Sequence, residues 1–126
     1  MEEKHRTHFK VGTLNLFNYV IPPNAFYESE NIYSSTQWQK KDSWINKQLS
    51  LSQPDIIGFQ EVFSPKELQE LASKQNLPYF ATVSKPGIRA DYVYDKPVVA
   101  LASKFPIVSV EAVSVTATVL KDLKLQ

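Results

Sequence analysis

The segment Asp55-Ile56-Ile57-Gly58-Phe59-Gln60-Glu61-Val62 limits the possible folds more than any other stretch of the chain. A strand with one wet face alternates apolar and polar residues, whereas this run is almost continuously apolar. Such a run reads as a strand covered on both faces, and therefore as part of a layered domain. Helix signals flank it. Upstream, Ser34 with Gln37 three residues on matches a capping box and predicts a helix over roughly Thr36 to Ser50. Trp38, Ile45 and Leu49 fall on its packing face, with the Lys41 stem along the edge and Trp44 adjoining. Gln53-Pro54 ends that helix. Downstream, Ser64-Pro65-Lys66-Glu67 supplies an N-cap, a proline at the first helical position and a glutamate at the third, and Leu68, Leu71, Ala72 and Gln75 continue at helical spacing.

The other signals alternate in the same way. Phe9 to Phe17 reads as a strand, with Leu14 and Leu16 facing one way and Val11, Thr13, Asn15 and Phe17 the other, both faces covered. Val20 to Tyr33, broken by Pro22-Pro23, reads as a long loop rich in aromatics. Leu77 to Ser84 is a strand, Lys85 to Lys96 a loop, and Pro97 to Ser103 a strand ended by Phe105-Pro106. Ile107 to Leu120 is β-rich, but its alternation slips by one residue, which predicts a bulge or bend near Ala112.

Composition removes several classes. The 14 basic and 13 acidic residues leave a net charge of +1, without the basic footprint of a nucleic-acid binder. The absence of cysteine excludes disulfides, thiolate metal sites and a thiol nucleophile. The three glycines stand alone at 12, 58 and 87, so there is no glycine-rich phosphate loop. At 126 residues the chain suits one domain at most. Residues 1–8 read as a charged, flexible leader without a secretory apolar run, and no stretch approaches the ~18 apolar residues of a membrane span. A cytoplasmic location is the expectation.

Two residues stand out chemically. Glu61 lies at the carboxyl end of a buried strand, where a carboxylate needs a salt bridge, hydrogen bonds or a cation. Asn15 sits mid-strand between Leu14 and Leu16 and needs partners for both ends of its amide, either to tie down a neighbouring loop or to serve a site. Brought to one sheet rim, an amide and a carboxylate suit a hard cation such as Mg²⁺ or Mn²⁺. Other features have plainer readings. His5 and His8 lie in the charged leader, and Lys40-Lys41 reads as a solvated helix face. Phe26, Tyr27 and Tyr33 pack a long loop on the plainer reading, the alternative being that they stack on a base or cover an acyl chain, while Arg89, Tyr92 and Tyr94 sit in a loop that either faces a substrate or is ordinary surface.

Three segments resemble one family in order and spacing. Val11-Gly12-Thr13-Leu14-Asn15-Leu16-Phe17-Asn18-Tyr19 resembles the first-strand motif of the endonuclease/exonuclease/phosphatase (DNase-like) superfamily. Gln53 to Val62 resembles its second motif, in which the glutamate holds the catalytic metal, and Val98-Val99-Ala100-Leu101-Ala102-Ser103-Lys104-Phe105-Pro106-Ile107 its Ser-basic-Phe-Pro-Ile segment. The resemblance implies an α+β fold: the first half of a four-layer α/β/β/α sandwich, one mixed sheet with helices on one face. It implies metal-dependent hydrolysis of a phosphoester in nucleic acid, a phosphoinositide or another phosphodiester. Glu61 and Asn15 would be the metal and catalytic residues, Glu61 as ligand and Asn15 holding a metal-bound water or a phosphate oxygen, with Gln60 in support.

The family's later Gly-Asp-x-Asn and Asp-His motifs have no counterpart, because the chain holds no Gly-Asp pair and both histidines precede the first strand. Residues 1–126 are therefore read as the amino-terminal half of such a domain, inactive by itself. The expected partners are the phosphoester, a carboxyl-terminal half, and a second copy of the chain across the uncovered sheet face. The rival reading is a binding module that keeps the fold without catalysis.

Overall fold

A computed structural model of the chain describes residues 8–113. Strand β1 (Val11–Tyr19) leads to the short β2 (Ala25–Phe26) and the helix α1 (Ser35–Ser52), then to β3 (Ile56–Val62) and α2 (Pro65–Lys74). Four strands follow: β4 (Tyr79–Thr82), β5 (Gly87–Ala90), β6 (Val93–Lys96) and β7 (Val98–Ser103). The class is α+β, with the larger sheet in the order β1-β3-β7-β4. β1 and β3 are parallel, which requires a crossover, and α1 provides it. β7 runs antiparallel to both β3 and β4.

Local chemistry explains the helices. Ser34 Oγ accepts the Gln37 N–H at 3.1 Å while Gln37 Oε1 accepts the Ser34 N–H at 2.8 Å, so the expected capping box closes. Ser64 is the N-cap residue of α2, but its hydroxyl does not cap: it accepts the Ile21 N–H at 2.8 Å and ties the segment after β1 to the start of α2. Both helices bury their apolar faces against the same side of the large sheet. Ile45 and Leu49 of α1 and Leu68, Leu71 and Ala72 of α2 share one core with Leu16, Ile57, Phe59, Ala100 and Ala102.

The opposite side of the sheet is open, against the expectation that both faces of β1 and of β3 are covered: along β3, buried Ile57 and Phe59 alternate with the only partly buried Ile56, Gly58 and Gln60. Val11 and Val99 are more than 60% exposed there, and Val83 and Leu101 are exposed as well. A shallow apolar hollow of about 380 Å³ on this face is lined by Gly58, Ala81, Val99, Leu101, Ile107 and Val110.

Other expectations are corrected. The segment 85–96 is a hairpin rather than a loop, and β2 joins it to form a second sheet in the order β2-β6-β5, so the expected single mixed sheet is two sheets. Polar residues in Arg89-Ala90-Asp91-Tyr92 hide its β pattern, and Asp91 turns it in the left-handed region at φ 48°. Gly87 closes its base, because a Cβ there would stand 2.8 Å from that of Lys96. Ile107 to Val113 form no strand, and the remainder of the predicted β-rich stretch lies outside the described residues. Among the described residues, no helix is long and apolar enough to cross a membrane.

Candidate functional site

β1 and β3 pair in register from Val11–Ile56 to Asn15–Gln60, then lose register and meet again at Tyr19–Val62. Leu16, Phe17 and Asn18 thus lie opposite the single residue Glu61, and the β3–β7 pairing is irregular at the same level. A bulge of this kind turns side chains away from the pleat and re-aims them. Phe17, Asn18 and Glu61 all adopt left-handed backbone, at φ 51°, 61° and 61°. For Phe and Glu this conformation costs about 1–2 kcal/mol each, and such strain persists only where surrounding contacts enforce it.

Those contacts centre on the carboxylate. Glu61 Oε2 accepts from Asn15 Nδ2 at 2.9 Å, and Oε1 accepts the Asn18 N–H at 3.2 Å. Asn15 Oδ1 accepts the Phe17 N–H at 2.8 Å, so the asparagine is satisfied at both ends and also ties down the bulge. Three consecutive carbonyls of the bulge accept side-chain donors. Lys41 Nζ donates to Leu16 O at 2.7 Å, and the Tyr33 hydroxyl lies 3.0 Å from Phe17 O and 2.8 Å from Asn18 O. Lys41 Nζ also sits 5.5 Å from the centre of the Tyr33 ring.

The charges feel one another. Burial pushes the Tyr33 phenol above its usual value and the negative Glu61 adds to this, so the hydroxyl stays protonated and able to donate. Burial pulls Lys41 down, with Glu61 acting in the opposite direction. The reading of Lys41 as part of a solvated face is therefore corrected: it is half-buried against the bulge, while Lys40 is exposed.

The other sequence candidates lie elsewhere. Gln60 Nε2 donates to Thr13 Oγ1 at 2.8 Å, bracing the open face rather than Glu61. Tyr33, Phe26, Tyr27, Phe63 and Tyr94 form a chain of ring contacts with centres 5.1–6.5 Å apart, which joins the small sheet to the large one. Loop aromatics therefore pack, as expected, although Tyr33 does more. Arg89 makes an exposed ion pair with Glu28 at 3.7 Å, and Tyr92 is exposed. His8 is at the opposite end of the sheet with Asp55 and Lys104, and His5 lies outside the described residues.

Asn18, Tyr33 and Lys41 are the site residues that sequence reasoning passed over. A signal existed for Lys41, a lysine inside an otherwise apolar helical stripe. Tyr33, directly before the N-cap, carried none.

As donors for a cation, the Glu61 carboxylate and the Asn15 carbonyl are hard oxygens, which suit Mg²⁺ or Mn²⁺. Among the described residues, no three of His, Cys, Asp and Glu gather into a metal-binding group. One carboxylate with water filling the other positions lies within the habit of Mg²⁺, so the residues fit as part of a centre. Compared with protein-family models, curated proteins and solved structures, the chain matches none.

Proposed function

We propose that the chain is the amino-terminal half of a divalent-metal-dependent phosphoester hydrolase of the endonuclease/exonuclease/phosphatase type, with Glu61 as the ligand for Mg²⁺ or Mn²⁺. The observation that supports this reading is the meeting of Asn15 and Glu61. They lie 46 residues apart and join at 2.9 Å on a bulge where non-glycine residues are held in left-handed backbone. Strain of this kind concentrates at functional sites. Asn15 orients the carboxylate through its Nδ2, and the Phe17 N–H fixes Asn15 in turn. A bound divalent cation would supply Lewis-acid polarisation of a phosphoryl oxygen. The acid-base histidine and the second sheet of the four-layer sandwich would come from a carboxyl-terminal half packed on the open face.

Titration of the 126-residue chain with Mn²⁺, followed by the loss of the free-ion EPR signal, tests the assignment. Weak, saturable 1:1 binding that Mg²⁺ displaces is expected. No binding at millimolar Mn²⁺ would leave a non-catalytic module as the better account.

The open face carries a second expectation. Its valines and Leu101 form an apolar surface that a lone chain leaves in water. Self-association through it, in a two-fold pairing, is the expected substitute for a second sheet. Light scattering should give a mass at or above twice 14.4 kDa at micromolar concentration. A stable monomer would refute this pairing.

A further inference from the structure

Asn15 and Glu61 hold the N–H groups of the bulge, but its carbonyls are held from outside it. Left-handed Phe17 and Asn18 are adjacent, and neither is glycine. The carbonyls of Leu16, Phe17 and Asn18 instead accept from Lys41 on α1 and from Tyr33 at the end of the loop that precedes it. We infer that Tyr33 and Lys41 are positioning residues: they clamp three successive carbonyls of β1 and so aim the Asn18 N–H and the Asn15 amide at the Glu61 carboxylate.

Each clamp residue is itself anchored. The Tyr33 ring packs at a tilt against Phe26, with centres 5.1 Å apart, and lies 6.4 Å from Trp38, so it is held independently of its hydroxyl. Lys41 lies one turn before the buried Ile45, on a helix whose capping box is closed. The clamp thus ties the catalytic-rim geometry to the packing of α1, and an outer contact of this kind commonly tunes metal affinity 10–100-fold. The inference rests on the reading of Glu61 as a cation-binding carboxylate only for its effect on affinity. The positioning itself is measurable without any ion.

Two-dimensional ¹H–¹⁵N NMR of the whole chain provides that measurement. In wild type, the cross-peaks of the Asn18 backbone amide and the Asn15 side-chain amide should both move in response to Glu61→Gln, because each donates to that carboxylate, and the size of this movement in each background is the response read. In Tyr33→Phe, which keeps the ring and drops the hydroxyl, the Asn18 response is expected to fall by more than half while the spectrum stays dispersed. Lys41→Met should act in the same direction, and Lys41→Arg, which retains a donor, should restore the response.

Mn²⁺ affinity should weaken about tenfold in Tyr33→Phe and in Lys41→Met. An undiminished Asn18 response in both Tyr33→Phe and Lys41→Met would overturn the clamp. If Tyr33→Phe fails to fold, the Lys41→Met and Lys41→Arg pair decides by the same readout. Should wild type bind no Mn²⁺ yet lose the Asn18 response on mutation, the clamp stands and the metal reading falls.

Discussion

Glu61→Gln is expected to lower Mn²⁺ affinity by at least about a hundredfold while leaving the chain folded. The substitution keeps shape and removes the charge, and a hard dication bound as proposed would depend on an anionic oxygen for most of its affinity. A small stability cost follows from the hydrogen bonds. The carboxylate accepts from two donors, Asn15 Nδ2 and the Asn18 N–H, on separate oxygens. A glutamine offers one acceptor oxygen and turns an NH₂ towards the other donor. Asn15 cannot simply flip to compensate, because its Oδ1 already holds the Phe17 N–H. One half-buried donor facing another costs about 1 kcal/mol. EPR titration and urea denaturation of the same preparations measure the two effects separately. Wild-type affinity in Glu61→Gln would remove this residue from the ion site.

Asp55→Ala, just before the other end of the same strand, should do the reverse. Asp55 is 1% exposed, and its Oδ2 accepts the Lys10 N–H at 2.7 Å while Oδ1 lies 3.5 Å from Lys104 Nζ. Its backbone joins the same two segments, with its N–H donating to Lys10 O and its carbonyl accepting the Lys104 N–H. The residue therefore fastens the start of β1 and the exit of β7 to the start of β3. Removing a buried carboxylate with charged and backbone partners costs about 2–4 kcal/mol. At a urea m-value of about 1–3 kcal/mol per molar, the midpoint should fall by roughly 1–2 M. Mn²⁺ affinity of the folded fraction should not change, because the contacts of Asp55 lie at the far end of the strand. A midpoint within about 0.2 M of wild type would contradict this structural role. Two carboxylates on one short stretch thus separate by function: one holds the fold together and the other is presented by it.

Much of this arrangement was legible in the chain itself. The capping box at Ser34–Gln37, the Pro65 helix start, the long apolar β3 and the packing stripe of α1 are written in residues three or four apart, or in simple alternation. Asn15 and Glu61 stood out because each is a polar residue in an apolar strand. Their pairing, however, was only an expectation until β1 and β3 proved to be parallel neighbours.

Sequence by itself therefore determined where helices begin, that the apolar run before Glu61 is a strand and which two polar residues need partners, since those features arise from neighbours along the chain. Tertiary structure alone decided the left-handed bulge, the inward turn of Lys41, the Tyr33 hydroxyl on Phe17 and Asn18, and the Ser64 hydroxyl spent on Ile21 rather than on its own helix. It also turned the polar segment 85–96 into a hairpin. The physical reason is common to most of them. A backbone group that leaves the ladder takes whichever donor or acceptor the packed fold brings to it, and those partners lie 15 to 43 residues away, beyond the reach of any local periodicity.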